Sequence, residues 1–137
     1  MEYTEENRGK VQAPKRAHQF ISFEGMKYGT ISPTDVDALI EHNGNFILYE
    51  YKLAGKDLPF GQKLALTRLV DGLSKTSRHA VLFVCEHNEQ DPEKDINGAS
   101  AIVRSVYWKG RWHTCKESKT AKNMTSSFLS YIDRGGT

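Results

Sequence analysis

Runs of apolar residues predict five strands along this chain. Two strands flank Asn43-Gly44, a dipeptide typical of a two-residue type I′ turn because both turn positions need positive φ. The apolar run from Ala80 to His87 is typical of a buried strand. A second hairpin is predicted around Lys109-Gly110, with Tyr107 opposite Trp112. Its strands would run from Ala101 to Trp108 and from Arg111 to Cys115.

Apolar residues spaced three and four apart predict the helices. Asp57-Leu58-Pro59 offers an N-cap and a first-turn proline for a helix that runs to about Leu73. A second amphipathic helix is predicted near Thr120 to Asp133, and a weaker one from Pro14 to about Glu24. The buried stripe of the first of these helices would be Leu66, Leu69, Val70 and Leu73.

The order of these elements predicts an α/β fold. A strand, a crossover helix and a second strand form a right-handed unit whose two strands run parallel, whereas hairpins pair antiparallel. We therefore expect a mixed central β-sheet flanked by helices. At 137 residues the whole chain, 1–137, is expected to be one domain, with residues 1–13 as a flexible N-terminal segment.

The predicted turn fixes which charged residues of the first hairpin meet. With Asn43 and Gly44 as the loop, Asp37 faces Glu50 and Asp35 faces Lys52. Like charges in directly opposed positions destabilise a strand pair. Something should compensate, and the candidates are a divalent cation, the neighbouring Lys52, or a proton shared by the two acids.

A plain acidic hairpin is the alternative, with an exposed ion pair from Asp35 to Lys52 that contributes about 0 to 1 kcal/mol. Apolar residues on both faces of the hairpin weaken this alternative, because a strand pair buried on both sides should not carry unpaired acids at its end. The period of two places Glu50 and Lys52 on one side of their strand. Lys52 can then reach an anion held by a metal, which is an arrangement suited to a phosphate.

In these residues the chain resembles the PD-(D/E)XK nuclease superfamily, in particular its small phage-type, Holliday-junction-resolvase-like members. The signature is an acid at the start of one strand, then Glu-x-Lys or Asp-x-Lys on the next. Here Asp37 leads to Glu50-Tyr51-Lys52. The resemblance extends over roughly Phe23 to Cys85 and implies a restriction-endonuclease-like core.

The resemblance implies a role for each residue of the motif. Asp37 and Glu50 would ligate Mg²⁺ or Mn²⁺ together with the backbone carbonyl of Tyr51. Lys52 would position or polarise the attacking water, and Gln62 would complete the catalytic set from the following helix.

The resemblance also suggests places for two further acids. Asp35 would lie just behind the metal ligands. The family core usually opens with a helix that carries an acid or amide, and here Glu24 ends the weak helix predicted from Pro14. Glu24 is therefore a candidate extra ligand, and a solvated surface carboxylate is the alternative.

Composition favours a cytoplasmic protein, in the host cytosol if a phage encodes it. The longest apolar run, Ala80 to Cys85, is far shorter than a membrane span, and the acidic start Met1 to Glu6 lacks the pattern of a signal peptide. In a reducing compartment Cys85 and Cys115 should remain thiols. His113 and Cys115 lack the further ligands that a zinc site needs.

Charge is uneven although the net value is only +2. Residues 101–137 hold seven Lys and Arg against two acidic residues, which suits a polyanionic partner, although a solvated helix face often carries Lys as well. The predicted nucleic-acid-binding residues are Lys56, Arg104, Lys109, Arg111, Lys116 and Lys122.

These observations predict a Mg²⁺-dependent nuclease that hydrolyses DNA phosphodiester bonds. We expect an endonuclease on branched or structured DNA, acting as a homodimer because symmetric cleavage needs two sites. A nuclease for single-stranded, flap or end-bearing DNA is one alternative. A non-catalytic nucleic-acid-binding or assembly protein with a nuclease-like fold is the other.

Overall fold

The computed structural model describes residues 20–76 and 78–136, and the chain divides after Pro33 into two compact units. Residues 20–33 of the first unit form turns, one of them at Glu24 and Gly25, and an isolated bridge joins Tyr28 to Ile31. The predicted helix from Pro14 is wrong over residues 20–24, where Phe, Ile and Ser favour a helix weakly. The predicted flexible segment, 1–13, lies outside the described residues, as do residues 14–19.

Within residues 34–76 and 78–136, the second unit contains a five-stranded sheet with a helix packed on each face. The strands follow chain order across the sheet, and the β2 and β3 pair is parallel while the other pairs are antiparallel. The sheet is therefore mixed, and the predicted α/β class is confirmed. The elements are β1 (Ala38–His42), β2 (Asn45–Leu53), α1 (Phe60–Leu73), β3 (Ala80–His87), β4 (Ile102–Trp108), β5 (Arg111–Thr114) and α2 (Ala121–Asp133).

The first hairpin has the predicted turn and register. Asn43 and Gly44 have φ of 52° and 81°, and Ile40 pairs with Ile47. The expectation that both faces are buried is wrong for β1, where Leu39 is 57% exposed. The reason is that β1 is an edge strand, whereas β2 lies inside the sheet between β1 and β3.

Helix α1 crosses one face of the sheet. It begins at Phe60, with Pro59 at the N-cap position and no side-chain capping bond in the described structure, so the predicted cap at Asp57 is wrong. Leu66 and Val70 are buried, but Leu69, which was predicted in the same stripe, is 44% exposed. The helix buries a narrower stripe than predicted because it covers β2, β3 and β4 and leaves β1 largely open.

The two sheet faces have separate cores because side chains alternate along each strand. Leu48 and Leu82 pack under α1, whereas Ile47, Val81 and Phe83 pack under α2. Even-numbered residues of β2 therefore face α1. Glu50 and Lys52 share this face by the same alternation.

The remaining elements match their predictions closely. Tyr107 pairs with Trp112 across β4 and β5, and Thr120 caps α2 by accepting a hydrogen bond from the Asn123 N–H. Both cysteines are free thiols. No helix among the described residues is long and apolar enough to cross a membrane.

Candidate active site

Asp37 and Glu50 meet at the end of the β1 and β2 pairing, as the turn predicted. The Asp37 N–H donates to Glu50 Oε1 at 3.3 Å, and the Tyr51 N–H donates to Asp37 Oδ2 at 2.8 Å. Each carboxylate is therefore held by a backbone amide of the opposite segment. This exchange fixes the two acids side by side.

The same bonds explain why the ladder stops. The register extended by two pairs would join the Tyr51 N–H to the backbone of Val36, but the Asp37 carboxylate accepts that hydrogen bond instead. Strand β1 consequently begins at Ala38. The predicted pairing of Asp35 with Lys52 is wrong for this reason, and no ion pair joins these two residues in the described part of the chain.

Glu50 is the most buried charged residue that the structure describes, with 1% of its surface exposed. Burial, and to a smaller extent the adjoining Asp37, raise the pKa of Glu50 to about 7, and the positive charge of Lys52 opposes the rise. A carboxyl group in this environment changes charge near neutral pH. Such a shift, in a group with a specific charged neighbour, is typical of functional sites, although structural ion-pair networks also produce it.

Gln62 and Lys52 complete the set around Glu50. The Gln62 side-chain amide, in the first turn of α1, donates to Glu50 Oε2 at 3.1 Å. The structure thus places Gln62 beside Glu50. Lys52 is half-buried on the same face of β2, and its charge acts on Glu50.

The Tyr51 carbonyl lies at the same edge of β2 as the two acids. Phe46 and Ala54 donate their N–H groups to carbonyl oxygens of His79 and His87, the residues that flank or end β3. The even-numbered backbone groups of β2 therefore point toward β3, and those of odd-numbered Tyr51 point toward β1. This carbonyl therefore points to the side of β2 on which the Tyr51 N–H donates to Asp37.

The donor set fits a hard cation of the Mg²⁺ type. Mg²⁺ is commonly held by one or two carboxylates and keeps several waters, and here two carboxylates meet on the side of β2 to which the Tyr51 carbonyl points. No group of three His, Cys, Asp or Glu side chains is placed to hold a metal within residues 20–76 and 78–136.

The sequence also predicted site roles for two further acids, Asp35 and Glu24. Asp35 is exposed in the segment that precedes β1. Glu24 is exposed and belongs to the first unit, where its N–H donates to Ser22 Oγ at 3.3 Å. Their contributions to the site stay predictions.

The predicted nucleic-acid-binding residues lie on both faces of the sheet. Lys56 and Arg104 line a groove on the α1 face, where Arg104 Nε also pairs with Glu86 Oε2 at 2.8 Å. Lys109 lies with its Nζ 5.1 Å from the centre of the Trp108 ring, on the α2 face. Arg111 pairs with Trp108 across the hairpin and so shares that face. Lys116 follows β5, and Lys122 is in the first turn of α2.

The groove also contains two side chains that the sequence did not single out together. Lys63 Nζ lies over the ring of Trp112, 4.9 Å from its centre. The sequence did contain a signal for the position of Trp112. The predicted pairing with Tyr107 places Trp112 on the same sheet face as Tyr107, which is the face covered by the helix after β2. Lys63, one residue after Gln62, could have been expected to approach it.

No protein-family model matches the chain, and comparisons with curated proteins and with solved structures give no match either.

Proposed function

We propose that the protein is a Mg²⁺-dependent nuclease that hydrolyses phosphodiester bonds in branched or otherwise structured DNA. The observation that carries this proposal is Glu50, a carboxylate buried beside a second carboxylate, Asp37, with Lys52 on the same face. Two acids in contact are costly for the fold unless a cation or proton compensates. A function that needs the pair accounts for that cost.

Each residue of the cluster has a distinct task in this proposal. Asp37, Glu50 and the Tyr51 carbonyl hold the metal, which would lower the pKa of a bound water and offset charge on the phosphate. Gln62 holds Glu50 in one orientation through its hydrogen bond to Oε2. Lys52 donates to the attacking water or to a phosphate oxygen and stabilises the charge that develops there.

A nuclease for single-stranded or flap DNA is the second candidate, and the groove on the α1 face favours it. The groove has a volume of about 450 Å³ and includes the exposed side of Trp112, an aromatic ring of the kind that stacks on unpaired bases.

A homodimer that presents two active sites would suit symmetric cuts in a branched substrate. Sedimentation of the protein with and without DNA measures that assembly.

A nicking assay tests the proposed activity directly. The protein is incubated with supercoiled, single-stranded, flap and four-way-junction DNA, with Mg²⁺ or with a chelator. Cleavage is expected with Mg²⁺ alone, and Asp37→Ala, Glu50→Ala and Lys52→Ala should each reduce it by at least about 100-fold while leaving the fold intact.

Glu117→Gln is the matched control, because it removes one exposed carboxylate at a distance in sequence from the cluster. This variant should cleave like the wild type. Cleavage that survives in the Glu50→Ala variant would contradict the proposal. Binding to DNA with no cleavage of any substrate would instead favour a non-catalytic binding protein.

A further inference from the structure

The groove on the α1 face is lined in part by neighbours of the candidate active site. They are Val84, the strand partner of Glu50, and Lys63, which follows Gln62 in α1. The lining also includes Trp112 and Thr114 of β5, the edge strand of the sheet at the far side from β1. The groove therefore extends across the sheet from the strand partner of Glu50 to an edge.

The strand register shows how the base of the groove continues from Glu50. Glu50 pairs with Val84, Val84 with Ser105, and Ser105 with Thr114. The side chains of Val84, Ser105 and Thr114 are uncharged and small to medium in size, and all three line the groove. Three strand spacings of about 4.8 Å place Thr114 roughly 14 Å from Glu50, which is the scale of a few nucleotides.

Trp112 lies at the β5 end of the groove, where its neighbours restrict the motion of its ring. It is 36% exposed, and its ring centre lies 5.3 Å from that of Tyr107. The Tyr107 hydroxyl in turn donates to Asp71 of α1 at 2.8 Å. Because Tyr107 is buried and anchored, Trp112 loses little freedom when a second ring stacks on it.

We propose that this groove holds an unpaired segment of a DNA strand, with one base stacked on Trp112 and Lys63 moved to an adjoining phosphate. This inference rests on the proposed function, and it names the substrate class as DNA with an unpaired strand next to the cleaved bond. A flap or a splayed end has such a segment, whereas an intact duplex does not. Bases inside a duplex already stack on their neighbours and leave no face for an indole ring.

The charges of the groove support a stacking contact more than an electrostatic one. The charge of Arg104 is matched by Glu86, which leaves Lys56 and Lys63 against Asp57. One excess positive charge gives a shallow salt dependence, so affinity for the strand must come mostly from stacking.

Binding to metal-free protein tests the inference separately from cleavage. Fluorescence anisotropy measures affinity for a labelled flap DNA, a single strand and a blunt duplex in a chelator. Trp112→Ala should weaken binding of the flap and the single strand about 10-fold and leave duplex binding unchanged, since a stacked base contributes an effect of this size. Trp112→Phe should recover part of the loss.

His113→Ala is the control, because His113 is the neighbour on β5 that faces the α2 side of the sheet. It should bind all three DNAs like the wild type. Equal affinity of Trp112→Ala and His113→Ala for flap DNA would overturn the inference. So would equal losses for flap and duplex.

A second variant, at Lys63, leaves the contact between the Tyr107 and Trp112 rings in place. Lys63→Ala should lower flap affinity several-fold and flatten its salt dependence by about one unit, whereas Arg68→Ala, on the same helix, should do neither. If no assay shows cleavage but DNA binding still depends on Trp112, the nuclease proposal is rejected and the proposal for the groove stands. Cleavage without any Trp112 dependence would reject the groove and keep the nuclease.

Discussion

At the scale of single residues, Glu50 differs most from a surface carboxylate. Its pKa is about 7, above the ordinary value of 4.5, so between these pH values the folded state holds a proton that the unfolded state has released. Stability contributed by the protonated form is complete below about pH 4.5 and is lost as pH rises through about 7. Thermal melts of the metal-free protein should therefore fall by about 3 °C or more between pH 5 and pH 8.

Glu50→Gln is the control for this titration. Glutamine keeps the size of the side chain and an oxygen that can accept from Gln62, but it does not titrate. Its melting temperature should change less than that of the wild type across the same pH range. Parallel curves for the two proteins would show that Glu50 does not carry the pH dependence.

Asp37 provides a second prediction at this scale. Asp37→Asn removes the charge beside Glu50 and keeps an oxygen that can accept from the Tyr51 N–H. The metal-free variant should melt higher than the wild type at pH 8, because the repulsion is relieved. Added Mg²⁺ should raise the melting temperature of the wild type and not that of the variant. A lower melting temperature for the variant in a chelator would contradict the proposed repulsion.

At the scale of elements, the turn at Asn43-Gly44 determines the site. Gly44 has φ of +81°, and a Cβ there would lie 3.3 Å from Arg78 Nε. Gly44→Ala should cost about 1 to 2 kcal/mol of stability in denaturant titrations, because a side chain is strained in this conformation. It should also reduce activity, since the register of the turn places Asp37 against Glu50.

Gly72→Ala is the matched control, because Gly72 is in α1 at ordinary helical φ and a Cβ there meets nothing within 4 Å. Alanine favours the helix, so this variant should be as stable as the wild type or more stable by up to about 1 kcal/mol. Equal destabilisation by the two substitutions would show that the turn conformation is not the cause.

Local chemistry made most of the elements predictable. Asn43-Gly44 set the first register, and the run from Ala80 to His87 set a strand parallel to β2. Sheet position was not predictable in the same way. The exposure of β1 depends on its place at the edge, and the helix predicted to end at Glu24 competed with a turn whose Gly25 has φ of +85°.

The geometry of the candidate site was also predictable from the sequence only in part. The meeting of Asp37 with Glu50, and of Gln62 with Glu50, followed from turn register and helix spacing. The end of the ladder did not, because it depends on Asp37 accepting the Tyr51 N–H in place of a backbone carbonyl. The contact of Arg104 with Glu86 was equally unpredictable. Arg104 is the extra residue of a bulge in β4, and this bulge brings its side chain to Glu86.

At the scale of the whole sheet, strand β5 is the edge at which the basic α2 side of the β4 and β5 hairpin meets the groove on the α1 side. Lys109 and Arg111 lie on the α2 side, and Lys56 lies in the groove on the α1 side. A DNA duplex laid against this edge could contact phosphates from both sides, which the small net charge of the chain does not suggest. The surface that binds the duplex would then be the β4 and β5 hairpin, adjoining the groove for the unpaired strand.

The salt dependence of duplex binding tests this placement. The double variant Lys109→Ala with Arg111→Ala should flatten the slope of log affinity against log salt by about one to two units, because each phosphate contact releases a counterion. Arg68→Ala with Lys75→Ala removes the same charge from α1 and the turn after it, and should leave the slope unchanged. Preference among DNA forms should survive in both, since phosphate contacts position DNA without reading it. Equal slopes for the two double variants would place the duplex away from the β5 edge.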